Sequence, residues 1–314
     1  MTATLTIAGY GLREALRRKV FVVVCVLSIA FVVLYWLGAR YTFHHIGNVV
    51  PPAGIDAHTF AASFLFGMAM FGTLFLGVVL AIFLTLGVVR GDAERGLLQP
   101  LVVRPVGRAT VLVARFLGAA AVCVPYVLAL YFATMVLTHA EGSWWPDRIV
   151  TPGLELAGGG LIVAALVIVG LTLHWWPAAV VGPGAELALG VLIVIALSLL
   201  GSVGLSATAN GIAVFMLFGA GLVAGLLGTI GHALNSHQIR HASTIASWAL
   251  PFEGLYQDGL RLISRDATGT TSFLLQLGPF GGGYVHGWTI RVWAAAYLLL
   301  VGAAALAGFA RRNL

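Results

Sequence analysis

The chain has 314 residues, of which 60% are hydrophobic and 9% charged, with a net charge of +6 and a mean hydropathy of +1.00. A soluble domain is typically about one-quarter Asp, Glu, Lys and Arg, so 17 basic and 11 acidic side chains cannot coat a globule of 32.9 kDa. The same hydrophobicity excludes disorder. What remains is an all-α integral membrane protein, because charge-free runs of about 20 residues cross a bilayer as helices and not as barrel strands.

In chain order, Leu5, Ala8, Leu12, Ala15 and Leu16 recur at helical spacing, while Arg13, Glu14, Arg17, Arg18 and Lys19 supply a polar face. This predicts an amphipathic helix over 1–19 lying in the membrane interface. The apolar run 20–38 that follows is longer than the roughly 7–15 residues of a signal-peptide core, and no A-x-A site follows it. It is read as a first span. Further spans are predicted at 61–89, 110–138, 186–205, 211–231 and 292–310, with 154–173 a seventh run of spanning length. No linker divides the chain, so it is read as one transmembrane domain over 1–314. Cys25 and Cys123 both fall in apolar runs, which argues against a disulfide framework.

Residues 144–170 match 175–201 at an offset of 31, with sixteen of twenty-seven positions identical. Each copy opens on Trp-Trp-Pro and continues into an apolar helix, as a tandem duplication would. A complete extra span would invert everything downstream, so about six crossings are expected, or seven if the repeat adds one. In the six-crossing arrangement one side holds eleven basic against three acidic residues, a balance of +8, and the other six against eight, −2. By the positive-inside tendency the +8 side, with the N-terminus, is cytoplasmic. A seven-crossing arrangement is not worse by raw count.

The segment 90–108 (Arg-Gly-Asp-Ala-Glu-Arg-Gly-Leu-Leu-Gln-Pro-Leu-Val-Val-Arg-Pro-Val-Gly-Arg) concentrates charge between the second and third spans. Asp92 and Glu94 suit the start of a short helix, and Pro100 and Pro105 fence it off. The plain alternative is a charged connector. A short, stiff, charged helix is what a membrane domain would present to a soluble partner.

In these features the chain resembles the ABC-2 type permeases of ATP-binding-cassette transporters, a bacterial exporter family that includes permeases of copper-processing systems. The likeness rests on Asp92, Glu94, Gly96-Leu97-Leu98 and Arg104-Pro105-Val106-Gly107-Arg108. It also rests on the interfacial helix 5–19, the polar turn 206–211, and the long segment 232–290 with Pro251-Phe252-Glu253-Gly254-Leu255-Tyr256. The order and spacing of these short motifs extend over nearly the whole chain; the repeat is the departure. The resemblance implies a permease subunit in the plasma membrane that pairs with a second copy, most simply as a homodimer, and docks two cytosolic ATPase subunits. Asp92, Glu94, Arg95, Gly96, Leu97, Leu98, Arg104, Pro105 and Arg108 would form the coupling loop, within 90–109. ATP and Mg would be bound by the partner ATPase and no cofactor by this chain. The chain is no ATPase itself: its one lysine, Lys19, stands in no G-x-x-x-x-G-K-[ST] loop.

The spans suit a lipophilic or amphipathic cargo better than an ion, and Phe64, Met68 and Phe71, with Phe66 and Met70 nearby, are candidates for the transport path. A Met and Phe stripe is equally a packing or lipid-facing surface. Two other classes compete. An ion-coupled secondary transporter usually keeps ionisable groups at mid-membrane; no span carries one at its centre, and Glu155 and Glu186 stand at the starts of their runs, where they can reach headgroups. An intramembrane serine protease would use Ser206 of Gly204-Leu205-Ser206-Ala207 with His232 as base, against the ordinary use of Ser in a polar turn. His237 and His241 share a helical face, and His44 and His45 form a second pair, but no Cys or Met is interleaved and no metal site is assigned. Leu255, Leu260, Leu262 and Ile263 alternate with Asp258, Arg261, Arg265 and Asp266, predicting an amphipathic helix on the outer surface. Trp248, Tyr256, Tyr284 and Trp288 would anchor it as an aromatic belt. The chain carries no feature of a nucleic-acid binder once its basic residues are placed at membrane edges; lipid is its environment.

Overall fold

The computed structural model describes residues 9, 19–45, 57–86, 108–142, 178–263 and 287–311. Among them there are eight helices and no strand: α1 (Lys19–His44), α2 (Ala57–Thr85), α3 (Arg108–Gly142), α4 (Ala178–Gly204), α5 (Ala207–Ala233), α6 (His237–Ala249), α7 (Phe252–Ile263) and α8 (Trp288–Ala310). Six of them, α1 to α5 and α8, are long and apolar enough to cross a membrane. The protein is a multi-pass α-helical membrane protein. A helix apolar on all sides has no preferred soluble face, so each packs part of its circumference on the bundle and leaves the rest to lipid. On α1, Val22, Val26, Ile29, Leu34 and Leu37 are exposed while Val24 is buried.

Side-chain pairs give the helix directions. Along α1 and α3, Ser28 pairs with Tyr126, Tyr35 with Thr138, and the Trp36 indole donates to Glu141 Oε1 at 2.9 Å, so the two run parallel. Along α2 and α4, Leu74 lies beside Gly190 and the Thr85 hydroxyl bonds Ser198 Oγ at 2.7 Å, again parallel. Gly77 lets α2 approach both neighbours: a β-carbon there would stand 2.6 Å from Val127 of α3 and 3.0 Å from Val191 of α4. α4 and α8 also run parallel, from Glu186 beside Arg291 to Val203 beside Gly308.

One end of the bundle therefore holds the finishes of α1, α3 and α5 and the starts of α2, α4 and α8. We call it the hairpin end. α3 finishes and α4 begins at that same end, as in the six-crossing count. The predicted interfacial helix 1–19, the loop 90–107 and the first repeat copy 144–170 lie outside the described residues. The second copy is described from Ala178, where it becomes α4.

Helix α7 departs from the surface placement expected of it. After α5 the chain reverses through Asn235, whose φ of 50° is a left-handed conformation that Asn tolerates. α6 then runs back along α5: Arg240 lies against Gly231, Ser243 Oγ donates to the Ala224 carbonyl at 2.8 Å, and Leu250 reaches Gly221. Gly221 is close to the middle of the 27-residue α5, about 18 Å of helical rise from its end. The chain turns at Leu250–Pro251, and α7 climbs between α2, α4, α5 and α8. Residues Pro251 to Leu260 are all buried. At 12 residues, α7 is too short to span a bilayer; with α6 it makes a re-entrant hairpin.

The chain ends of the described bundle, Lys19 and Arg311, lie at the same end, opposite the hairpin. Reporter tags placed before Met1 and after Leu314 should therefore respond from the same side of the membrane in a protease-protection or impermeant-label assay. Opposite responses would indicate an odd number of crossings.

Candidate functional site

The hairpin end owes its character to α7, which carries carboxylates into an apolar interior. Asp258 is fully buried, and two guanidinium groups meet it: Arg261 Nη2 at 2.8 Å from Oδ1, one turn further along α7, and Arg291 Nε of α8 at 2.8 Å from Oδ2. Arg291 Nε also lies 2.7 Å from Glu186 Oε1 of α4. An arginine Nε carries one hydrogen, and it points to Asp258. Arg291 meets Glu186 as an ion pair, and neither Glu186 oxygen has a hydrogen bond of good geometry. The four groups balance to zero formal charge. The carboxylates lie beneath, while the Arg291 and Arg261 side chains keep 29% and 43% of their surface exposed. That is how an arginine near a helix end reaches toward the interface.

Glu186 thus does not reach the headgroup region, as its position near the start of an apolar run suggested. It is 5% exposed and faces α7, with Oε2 3.3 Å from where a β-carbon on Gly259 would stand. Tyr256 is likewise no belt anchor: its ring is fully buried and its hydroxyl donates to the Gly67 carbonyl of α2 at 2.9 Å. Trp288 is exposed, and the Trp248 carbonyl accepts from Trp293 Nε1 at 2.7 Å, tying α6 to α8. Sequence patterning found the polar face of α7, but α7 buries that face against a charged partner and not against water.

An aromatic column continues from the clasp. Tyr256 meets Phe71 edge-on at 6.1 Å, Phe71 meets Phe75 at 6.4 Å, and Phe75 meets Phe215 of α5 at 6.0 Å. Phe64, Met68 and Phe71, proposed from sequence as a path, share one stripe of α2. Phe64 and Met68 are on the outside of this single chain, and Phe71 is half-buried in the column. Phe66 and Met70 point the other way, into the core. Of the coupling-loop residues, Arg108 opens α3; Asp92, Glu94, Arg95, Gly96, Leu97, Leu98, Arg104 and Pro105 lie outside the described residues.

Ser206 is exposed in the turn between α4 and α5, whereas His232 stands at the far end of α5, about 39 Å of helical rise away. Within one chain His232 therefore cannot serve as the base for Ser206. His237 and His241 stack with ring centroids 6.4 Å apart on the exposed face of α6. Among the described residues no group of three or more His, Cys, Asp or Glu is arranged to hold a metal ion. No protein-family model and no curated protein matches the chain.

Replacing Arg291 with Ala would strand Glu186 and Asp258 without their shared cation. A loss of about 2–4 kcal/mol is expected, at or below the range for breaking a buried pair, because the arginine is part-exposed. Thermal unfolding in detergent would read it. Adding Glu186→Gln and Asp258→Asn should recover part of the loss; a triple variant no more stable than the single one would assign the effect to packing.

Proposed function

We propose that the chain is the permease subunit of an ATP-binding-cassette exporter of the ABC-2 type. In this reading it works as a homodimer with two ATPase subunits in a bacterial plasma membrane, its N-terminus cytoplasmic, and moves a lipophilic or amphipathic cargo. The observation that carries the proposal is the order of parts along the chain. A charged, proline-fenced segment joins the second and third spans, a tight turn joins the fourth and fifth, and a helical hairpin folds back into the bundle before the last span.

The physical division of labour follows from this order. The segment 90–108 and the hairpin end are attached to opposite ends of α2, so a push on the first can tilt that helix and reach the second through Gly67, Tyr256 and Phe71. Phe64 and Met68, on the outside of one chain, with Phe71 half-buried behind them, would face a second copy across an apolar path. Energy would come from ATP and Mg held by the partner, since this chain lacks a phosphate-binding lysine loop.

Gradient coupling is the second reading, and one observation favours it. Buried carboxylates are present after all, at Glu186, Asp258 and Glu253, where the linear sequence suggested none at mid-membrane.

Charge reversal at Arg104 and Arg108 decides between the two. Co-purification with an ATPase encoded next to this chain, and stimulation of that ATPase in vesicles, should fall by about tenfold or more as complementary charge is lost. The spans should remain folded by circular dichroism. Unchanged association and coupling would overturn the role of this segment, and transport that needs a pH gradient and no ATP would establish the second reading.

A further inference from the structure

Glu253 is the one carboxylate on α7 that the clasp does not use. It lies two residues beyond the hairpin turn and is 4% exposed. Five residues separate it from Asp258, about 140° around the helix, so it faces α5 and not the clasp. There it lies directly on Gly225: a β-carbon at that position would stand 2.3 Å from Oε1 and 2.4 Å from Cδ. A side chain at that position would force this carboxyl to move. Oε1 has no hydrogen-bond partner, and Gln257, one turn along α7, bonds the carboxyl.

Among the described residues no cation answers it. Within its described residues α5 has no Asp, Glu, Lys or Arg, and its one histidine, His232, is at the end of the helix. α6 carries His237, Arg240 and His241, all in its first turns near Asn235. Of the charged groups on α4, α7 and α8 that face this region, Glu186, Asp258, Arg261 and Arg291 are committed to the clasp. Tyr256 donates to Gly67. α2 carries His58 at its start and no other titratable side chain. A bare carboxylate in such surroundings costs several kcal/mol, whereas a protonated carboxyl costs far less. Burial accordingly pushes Glu253 from its ordinary value of 4.5 up to about 8.

We propose that Glu253 is a proton-binding site that is neutral while the hairpin tip packs on α5 and ionises when the tip separates from α5. On separation the carboxyl O–H bond breaks, the proton passes to water and the electron pair stays on the carboxylate. Packing returns a proton to it. Opening of this end of the bundle thereby releases one proton per chain. The inference does not depend on what drives transport.

The packed hairpin has the higher proton affinity, so protonation favours packing. As pH rises from about 4.5 towards about 8, packing weakens by up to about tenfold per pH unit, and above that it no longer changes.

Two measurements on the full chain in lipid discs test this. In difference infrared spectra, the wild type should lose a protonated-carboxyl band between about pH 6 and pH 10 that Glu253→Gln lacks throughout. In hydrogen exchange, amides of 250–257 should exchange at similar rates in wild type and Glu253→Gln near pH 5. Near pH 8 they should be at least about tenfold faster in the wild type. Amides of α4 provide an internal reference in the wild type alone, so the comparison survives a variant that does not fold. Absence of the band would show that Glu253 is ionised in the packed state and would overturn the proposal. A rate ratio that does not change with pH would overturn the coupling of that proton to the hairpin.

Discussion

The insertion of α7 among α2, α4, α5 and α8 is the interaction on which the hairpin end of this protein depends. Lipid offers no hydrogen bonds, so a segment that enters the membrane and returns must satisfy its backbone internally. Two short helices joined at Leu250–Pro251 do so. Lateral space is the second requirement, and glycines supply it at the contacts. Leu260 lies over Gly67, Leu262 over Gly182, and Glu253 over Gly225. A methyl group at the last of these would overlap the carboxyl.

Polar side chains carried inward by α7 then impose the rest of the arrangement. Asp258 draws Arg261 and Arg291 over it, and Arg291 draws in Glu186, so one buried carboxylate ties three helices together. Such a clasp need not add net stability over an apolar replacement. It does specify how α4, α7 and α8 are aligned, because any slippage would bury an unpaired charge. The Tyr256 hydroxyl performs the same service towards α2. Beneath this level the column Tyr256, Phe71, Phe75 and Phe215 is apolar. The site therefore grades from ionic near the membrane edge to aromatic within.

The membrane class and the six spans were legible because each depends on local quantities, namely run length and hydropathy. Helix ends agreed to within several residues; α2 begins earlier than its apolar run, at Ala57, because a helix can project beyond the hydrocarbon. The amphipathic pattern over 252–263 was legible too, but its placement on the surface was not. A polar stripe signals that a face needs polar company, and it does not say whether water or a buried arginine supplies it. Arg291, 33 residues beyond Asp258, is too distant for any periodicity to pair them. Glu186 was misplaced for the same reason: its nearness to the start of an apolar run suggested headgroups, whereas α7 covers it.

By itself the sequence determined that this is a helical membrane protein with charge confined to few positions, since apolar length and composition leave no soluble alternative. It also determined the order of its polar islands, on which the family resemblance rests. Only the tertiary structure decided which charges meet, that Ser206 and His232 are at opposite ends of α5, and that the hairpin turns near the middle of that helix. These outcomes depend on contacts between residues remote in the chain, where the free energy of burying a charge is set by the neighbour that arrives and not by the residues beside it in sequence.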